Sequence, residues 1–131
     1  MVIMQKIEAI IRPEKLSSVK DALSAKGICG LNITRITGRG VQKGIVGTGR
    51  GEESYEVDLL PKVKLEIVVS DAATETAIGA ICQTAYTGNI GDGKIFVSPV
   101  TDAIRIRTRE RGDAALQEAP RTEGVASGER G

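Results

Sequence analysis

The sequence predicts an α+β fold: a split βαβ, or ferredoxin-like, sandwich of order βαββαβ, with two helices on one face of a four-stranded antiparallel sheet. Three observations predict it. Short apolar runs alternate with a period of two. Two longer segments carry a helical stripe. The strand–helix–strand order occurs twice, on either side of a glycine-rich stretch with little apolar material.

The elements follow in order. "KIEAIIRP" (Lys6–Pro13) is a short apolar run closed by proline, and reads as a strand. Pro13 and Glu14 suit a helix start. Leu16, Val19 and Leu23 then form one helical stripe beside Ala22, with Gly27 as the cap. Cys29–Gly38 alternates Leu31, Ile33 and Arg35 against Asn32, Thr34 and Ile36, a second strand. From about 38 to 56 the chain holds six glycines before Glu56, the composition of a long flexible loop; a loop of that length inside a domain is usually functional. Glu56–Asp71 is the strongest strand, with Val63, Leu65, Ile67 and Val69 on one face and Lys62, Lys64, Glu66 and Val68 on the other. Asp71–Gly88 is the second helix, its stripe made by Ala77, Ile78, Ile81, Cys82 and Ala85, with Gly88 as its cap. "KIFVSP" and "AIRIRT" complete the strands. Helices on one face leave the other needing a cover, because Val68 and other apolar residues point there; an oligomer is the natural cover. The domain spans 1–116, and 117–131 is a charged, glycine-rich tail with the composition of disorder.

Composition excludes several functions. The 131 residues suffice for one domain, with 40% hydrophobic but only 2% aromatic residues, so the core is aliphatic. Eighteen basic and 17 acidic residues leave a net charge of +1, without the basic excess that a nucleic-acid partner requires. There is no histidine, which removes the usual general base and the commonest metal ligand. Cys29 and Cys82, with no Cys-x-x-Cys spacing, read as two buried reduced thiols. No signal-peptide pattern and no run of about 18 apolar residues is found, so the expected location is the cytoplasm.

Two features point to a phosphate. Gly88 to Lys94 spells G-x-x-x-x-G-K, but Ile95 stands where a P-loop has Ser or Thr, and the order is helix, turn, strand rather than strand, turn, helix. It is therefore not a Walker A site. A helix cap with a tight turn is one reading; an anion-binding nest with a lysine beside it is the other. In "AIRIRT", Arg105 and Arg107 alternate with Ile104 and Ile106, which puts both guanidinium groups on one face and the isoleucines in the core. Two adjacent guanidiniums favour an anion between them, phosphate above all; a solvated charged face is the plain alternative.

"KIEAIIRPEKL", "GRGVQKG", "VDLLPKVKLEIVV", "TGNIGDGKIFVSPV" and "AIRIRTRERG" stand in the order and spacing of the PII nitrogen-signalling proteins. The chain resembles that family over about 4–116. The resemblance implies a homotrimer that binds ATP or ADP in the clefts between subunits, and 2-oxoglutarate beside ATP and Mg2+. It implies a sensor, not an enzyme, whose long T-loop docks on partners such as an ammonium transporter or nitrogen-assimilation enzymes. No nucleic acid is implied, and a membrane only through a transporter. Carried over, Gly91, Asp92, Gly93 and Lys94 cradle phosphates, and Arg105 and Arg107 form a phosphate clamp reaching across from the neighbouring subunit. Val68 meets the adenine through its backbone, with Asn32, Glu66 and Thr87 nearby. Gly40, Val41 and Gln42 belong to the nucleotide set. Gln42 also helps hold Mg2+ and 2-oxoglutarate, and Lys62 pairs with a 2-oxoglutarate carboxylate.

The chain departs from the family pattern in places. Asn32 replaces a threonine near the adenine, and Val41 an arginine found in many members. The loop reads "GTGRGEESYEV". Arg50, the residue that enters a transporter pore in transporter-linked members, and Gly51 fit; Gly49 replaces a tyrosine. One residue is inserted, so Ser54 or Tyr55 falls at the usual modification position. This altered loop supports an alternative: a PII-like protein that senses another small molecule, such as bicarbonate with a nucleotide, for a carbon- or metal-related partner. An enzyme of phosphoryl transfer is disfavoured, since the loop offers no base beyond Glu52 and Glu53.

Overall fold

Every second residue of Val63–Val69 is buried, and that alternation lays out the domain. The computed structural model describes residues 4–44 and 54–117. Strand β1 is Met4–Ile11, helix α1 Leu16–Ala25, β2 Asn32–Gly44, β3 Ser54–Ser70, α2 Thr74–Ala85, β4 Gly93–Val100, and α3, one turn, Asp113–Leu116. The sheet order is β2-β3-β1-β4, with each neighbouring pair antiparallel. Ile7, Ala9 and Ile11 of β1 and the four residues of β3 meet Val19 and Leu23 of α1 and Ala77, Ala80, Ile81 and Ala85 of α2. This is the predicted ferredoxin-like α+β sandwich, with its core entirely on the helical side.

Local sequence accounts for the helix ends. Pro13 starts a single 3-10 turn that runs into α1, where its missing N–H costs nothing. Gly27, at φ 82°, ends α1: its N–H reaches Ser24 O at 2.9 Å and the Ile28 N–H reaches Leu23 O at 2.9 Å. Helix α2 stops earlier than its sequence suggests. Tyr86 is already extended, and Gly88, at φ 87°, opens the next turn rather than capping the helix.

Three further expectations are corrected. First, β2 and β3 stay paired from Asn32↔Glu66 to Gly44↔Ser54, so much of the glycine-rich stretch is strand. Glycine is rare in strands because it packs nothing, but the ladder is made by backbone groups that glycine also has. Second, "AIRIRT" forms no sheet strand. The chain turns back on itself with a single bridge, Ile104↔Arg111, held by Arg105 N–H to Glu110 O at 2.9 Å and Gly112 N–H to Ala103 O at 3.0 Å. Ile104 and Ile106 are 50% and 93% exposed instead of core, because the segment lies past the sheet with no helix behind it. Third, Cys29 and Cys82 are free, as expected, but exposed. Cys29 sits in the α1–β2 turn; Cys82, at about 100° per residue, falls at the margin of the stripe centred on Ala77, Ile81 and Ala85.

Candidate functional site

The open face of the sheet carries both candidate regions. Lys62, Lys64, Glu66 and Val68 all point there, as do Lys6, Glu8 and Ile10 of β1, by the two-residue period. Lys6 Nζ lies 2.8 Å from Glu66, and Lys64 Nζ 3.2 Å from Glu8. The face is thus a mixture of paired charges and half-buried or exposed apolar groups, Phe96 among them at 54% exposure. The Lys6 hydrogen bond holds the Glu66 carboxyl below its usual range, and Glu66 holds the Lys6 ammonium above its own.

The first region is a cleft of about 640 Å³. It gathers Asn32, Glu66, Val68, Arg105 and Arg107, together with Lys6 and the chain from Ala115 to Gln117. Arg105 is not an isolated cation. Its guanidinium meets Glu110 at 2.9 Å and donates to Ala114 O at 3.0 Å and to Gln117 O, so it ties the end of α3 over the cleft. Arg107 is exposed on the turn of the same segment.

The second region is a cleft of about 570 Å³ beside the middle of β3, lined by Lys62, Gly91, Asp92, Gly93, Lys94 and Phe96, with Gly38. Lys62 and Glu66 are four residues apart on one strand, about 13 Å. The turn here is built around Asp92. One carboxylate oxygen accepts from the Thr87 hydroxyl and from Arg12 Nε at 3.0 Å; the other accepts from the Thr87 N–H at 2.7 Å and the Gly88 N–H at 3.0 Å. The Thr87 hydroxyl, then its N–H, with Arg12 and the Gly88 N–H adding, hold the Asp92 carboxyl far below the usual carboxylate range. Asp92 thus shapes the turn, and the Thr87 hydroxyl is spent on it. Lys62 Nζ donates to Gly91 O. Gly93, at φ 110°, is obligatory: a Cβ there would lie 1.7 Å from Ile10 O. Gly38 lets Lys62 lie along the sheet, since a Cβ would come within 2.7 Å of its Cγ.

The backbone of Gly40, Val41 and Gln42 pairs with Asp58, Val57 and Glu56, beyond Gly38 on the side of the second cleft. Ser54 and Tyr55 begin β3, opposite Gly44 and Lys43. The side chains of these five lie outside the described residues, as do Arg50 and the tail beyond Gln117. The sequence-predicted residues therefore fall into two separate groups: Asn32, Glu66, Val68, Arg105 and Arg107 in one, and Lys62, Thr87 and Gly91–Lys94 in the other. Lys6, Arg12 and Gly38 were not predicted. Lys6 could have been found from the alternation of β1, which puts it on the open face, where it stands opposite Val68 and diagonal to Glu66; Arg12 carries no local signal, since its partner lies 80 residues away.

Fold and clefts together define a class, a ferredoxin-like α+β domain with two clefts on its open sheet face and no clustered metal-ligating group among the described residues. The family model "Nitrogen regulatory protein P-II" matches residues 4–110, and the chain belongs to that family. It is 57% identical over 113 residues to the nitrogen regulatory protein P-II of Rhodospirillum rubrum, covering 86% of this chain and all of the relative. Against nitrogen regulatory protein P-II 2 of Methanothermobacter thermautotrophicus it is 52% identical over 116 residues, 88% of this chain and all of that one. Among solved structures it resembles the GlnK–ATP complex of B. subtilis (TM-score 0.74, 34% identity, 87% of this chain and 98% of that one). It also resembles Arabidopsis thaliana PII bound to citrate (TM-score 0.73, 37% identity, 93% and 97%). The family and these relatives are, by name, nitrogen regulatory proteins.

Proposed function

We propose that this chain is a PII-type signal-transduction sensor and not an enzyme: a cytoplasmic homotrimer that binds ATP or ADP between subunits. The observation that supports this reading is that the expected ligand residues line two separate clefts on one sheet face, about 13 Å apart along β3. One chain offers the base-side residues Asn32, Glu66 and Val68 with the clamp Arg105 and Arg107. The neighbouring chain would supply the turn Gly91–Lys94 and the Gly40–Gln42 segment, and three such clefts close a ring. A relative solved with ATP supports the nucleotide. The Mg2+ and 2-oxoglutarate belong to Gln42 and Lys62 in this reading. A dicarboxylate beside a triphosphate is repelled unless a metal and a cation offset the charge. A relative bound to citrate, a polycarboxylate, supports a carboxylate effector. The segment at 38–56, with Arg50, is the partner surface for an ammonium transporter or a nitrogen-assimilation enzyme, with Ser54 or Tyr55 at the usual modification position; the domain spans 1–116, the tail lying outside it. The test is calorimetry of 2-oxoglutarate into protein with ATP and Mg2+, then with ADP. Binding only in the first supports the reading. Equal binding in both, or none in either at millimolar ligand, favours a different effector such as bicarbonate, the reading that the altered loop sequence leaves second.

A further inference from the structure

The 87–93 turn presents an electrostatic problem. A turn that meets phosphate carries a carboxylate, Asp92, at its centre, and an unpaired carboxylate there would repel the ligand. Arg12, at the end of β1, resolves it. Its Nε pairs with Asp92 at 3.0 Å, while one terminal nitrogen donates to Ile90 O at 2.8 Å, so a single planar fork grips both the side chain and the backbone of the turn. The grip also aims the backbone. With the carbonyls of Ile90 and Gly91 drawn to Arg12 and Lys62, the planar trans peptides turn the N–H groups of Gly91 and Asp92 the opposite way, off the cations. Gly91, at φ 102°, makes room: a Cβ there would lie 3.3 Å from the Arg12 guanidinium.

We propose that Arg12 is a positioning residue for phosphate binding: by neutralising Asp92 and fixing the Ile90 carbonyl it holds the 87–93 turn in the shape that receives the phosphates of a nucleotide. The proposal rests on the nucleotide-binding reading above. Arg12→Gln removes the charge and the fork; Arg12→Lys keeps the charge but reaches only one of the two partners.

The experiment compares both variants with the natural chain by calorimetry with ATP and with adenosine, which lacks phosphate, and by amide hydrogen exchange without ligand. Arg12→Gln is expected to weaken ATP about tenfold, the size of one lost charge-assisted hydrogen bond, and to leave adenosine within about twofold. Arg12→Lys recovers part of the ATP loss. The Thr87 and Gly88 amides, which rest on Asp92, are expected to exchange about tenfold faster in Arg12→Gln, while the Leu65 amide in the sheet is unchanged. Parallel loss of ATP and adenosine, or unchanged exchange at Thr87 and Gly88, would overturn the proposal. If the natural chain binds no ATP, the sensor reading falls, and the exchange data still decide whether Arg12 holds the turn.

Discussion

At the residue scale the hard constraints are geometric. Gly93 has no alternative, because a Cβ at 1.7 Å from a carbonyl oxygen in the neighbouring strand forces the backbone to move. Gly93→Ala is expected to cost about 3 kcal/mol of stability through strain at positive φ and loss of the β1–β4 pairing beside it, read as a lowered urea midpoint with unchanged slope. Asp92 gives a pH signature. Its carboxyl is held below the ordinary range in the folded chain, so its contribution is fully present above the unfolded value near pH 4 and fades as pH falls through the lower folded value. The stability difference between the natural chain and Asp92→Asn should therefore be flat from about pH 5 to 8 and shrink only in stronger acid. Denaturant titrations across that range check it; a difference that changed near neutrality would point to another group.

At the element scale the segment after β4 matters most. Its alternating Ile and Arg residues look the same whether the segment joins a sheet or folds back on itself, and here it folds back. Arg105 consequently has two duties, holding α3 and the chain to Gln117 in place and facing the cleft. Arg105→Ala is expected to weaken ATP and ADP alike by about 2 kcal/mol, the range of hydrogen bonds to a charged group, and to raise exchange in α3. Unchanged nucleotide affinity in calorimetry would leave Arg105 with its structural duty alone. Lys62, midway along β3, also touches backbone as well as the second cleft. Lys62→Met is expected to abolish the 2-oxoglutarate titration while ATP affinity falls no more than about threefold, because Arg12 still grips the turn.

At the scale of the whole molecule, one chain has two clefts about 13 Å apart along β3, which the nucleotide reading joins only across two chains, and an open face on which paired charges alternate with Phe96, Ile10 and Val68. Both call for a neighbour. Light scattering at micromolar concentration is expected to return three times the mass of the 13.8 kDa chain. A monomer mass would separate the clamp from the turn and sink the shared site.

The order of elements from β1 to β4, the faces of β3, the cap at Gly27 and the family are legible in the amino-acid sequence, because these depend on neighbours within a turn, on a strand's own period or on local motifs. It also placed Gly91–Lys94 on a turn after a helix and so ruled out a P-loop. Only the tertiary structure decided how far the glycine-rich strands run, since pairing of β2 with β3 is a backbone matter that side-chain patterns do not report. Only it removed Ile104 and Ile106 from the core, because burial depends on what lies behind a segment and not on its alternation. The exposure of both cysteines was decided in the same way. The sorting of the ligand residues into two groups, and the joining of Arg12 to Asp92 across 80 positions, required the sheet to bring the end of β1 against the turn before β4. A contact between residues so distant in sequence leaves no periodic trace in either segment.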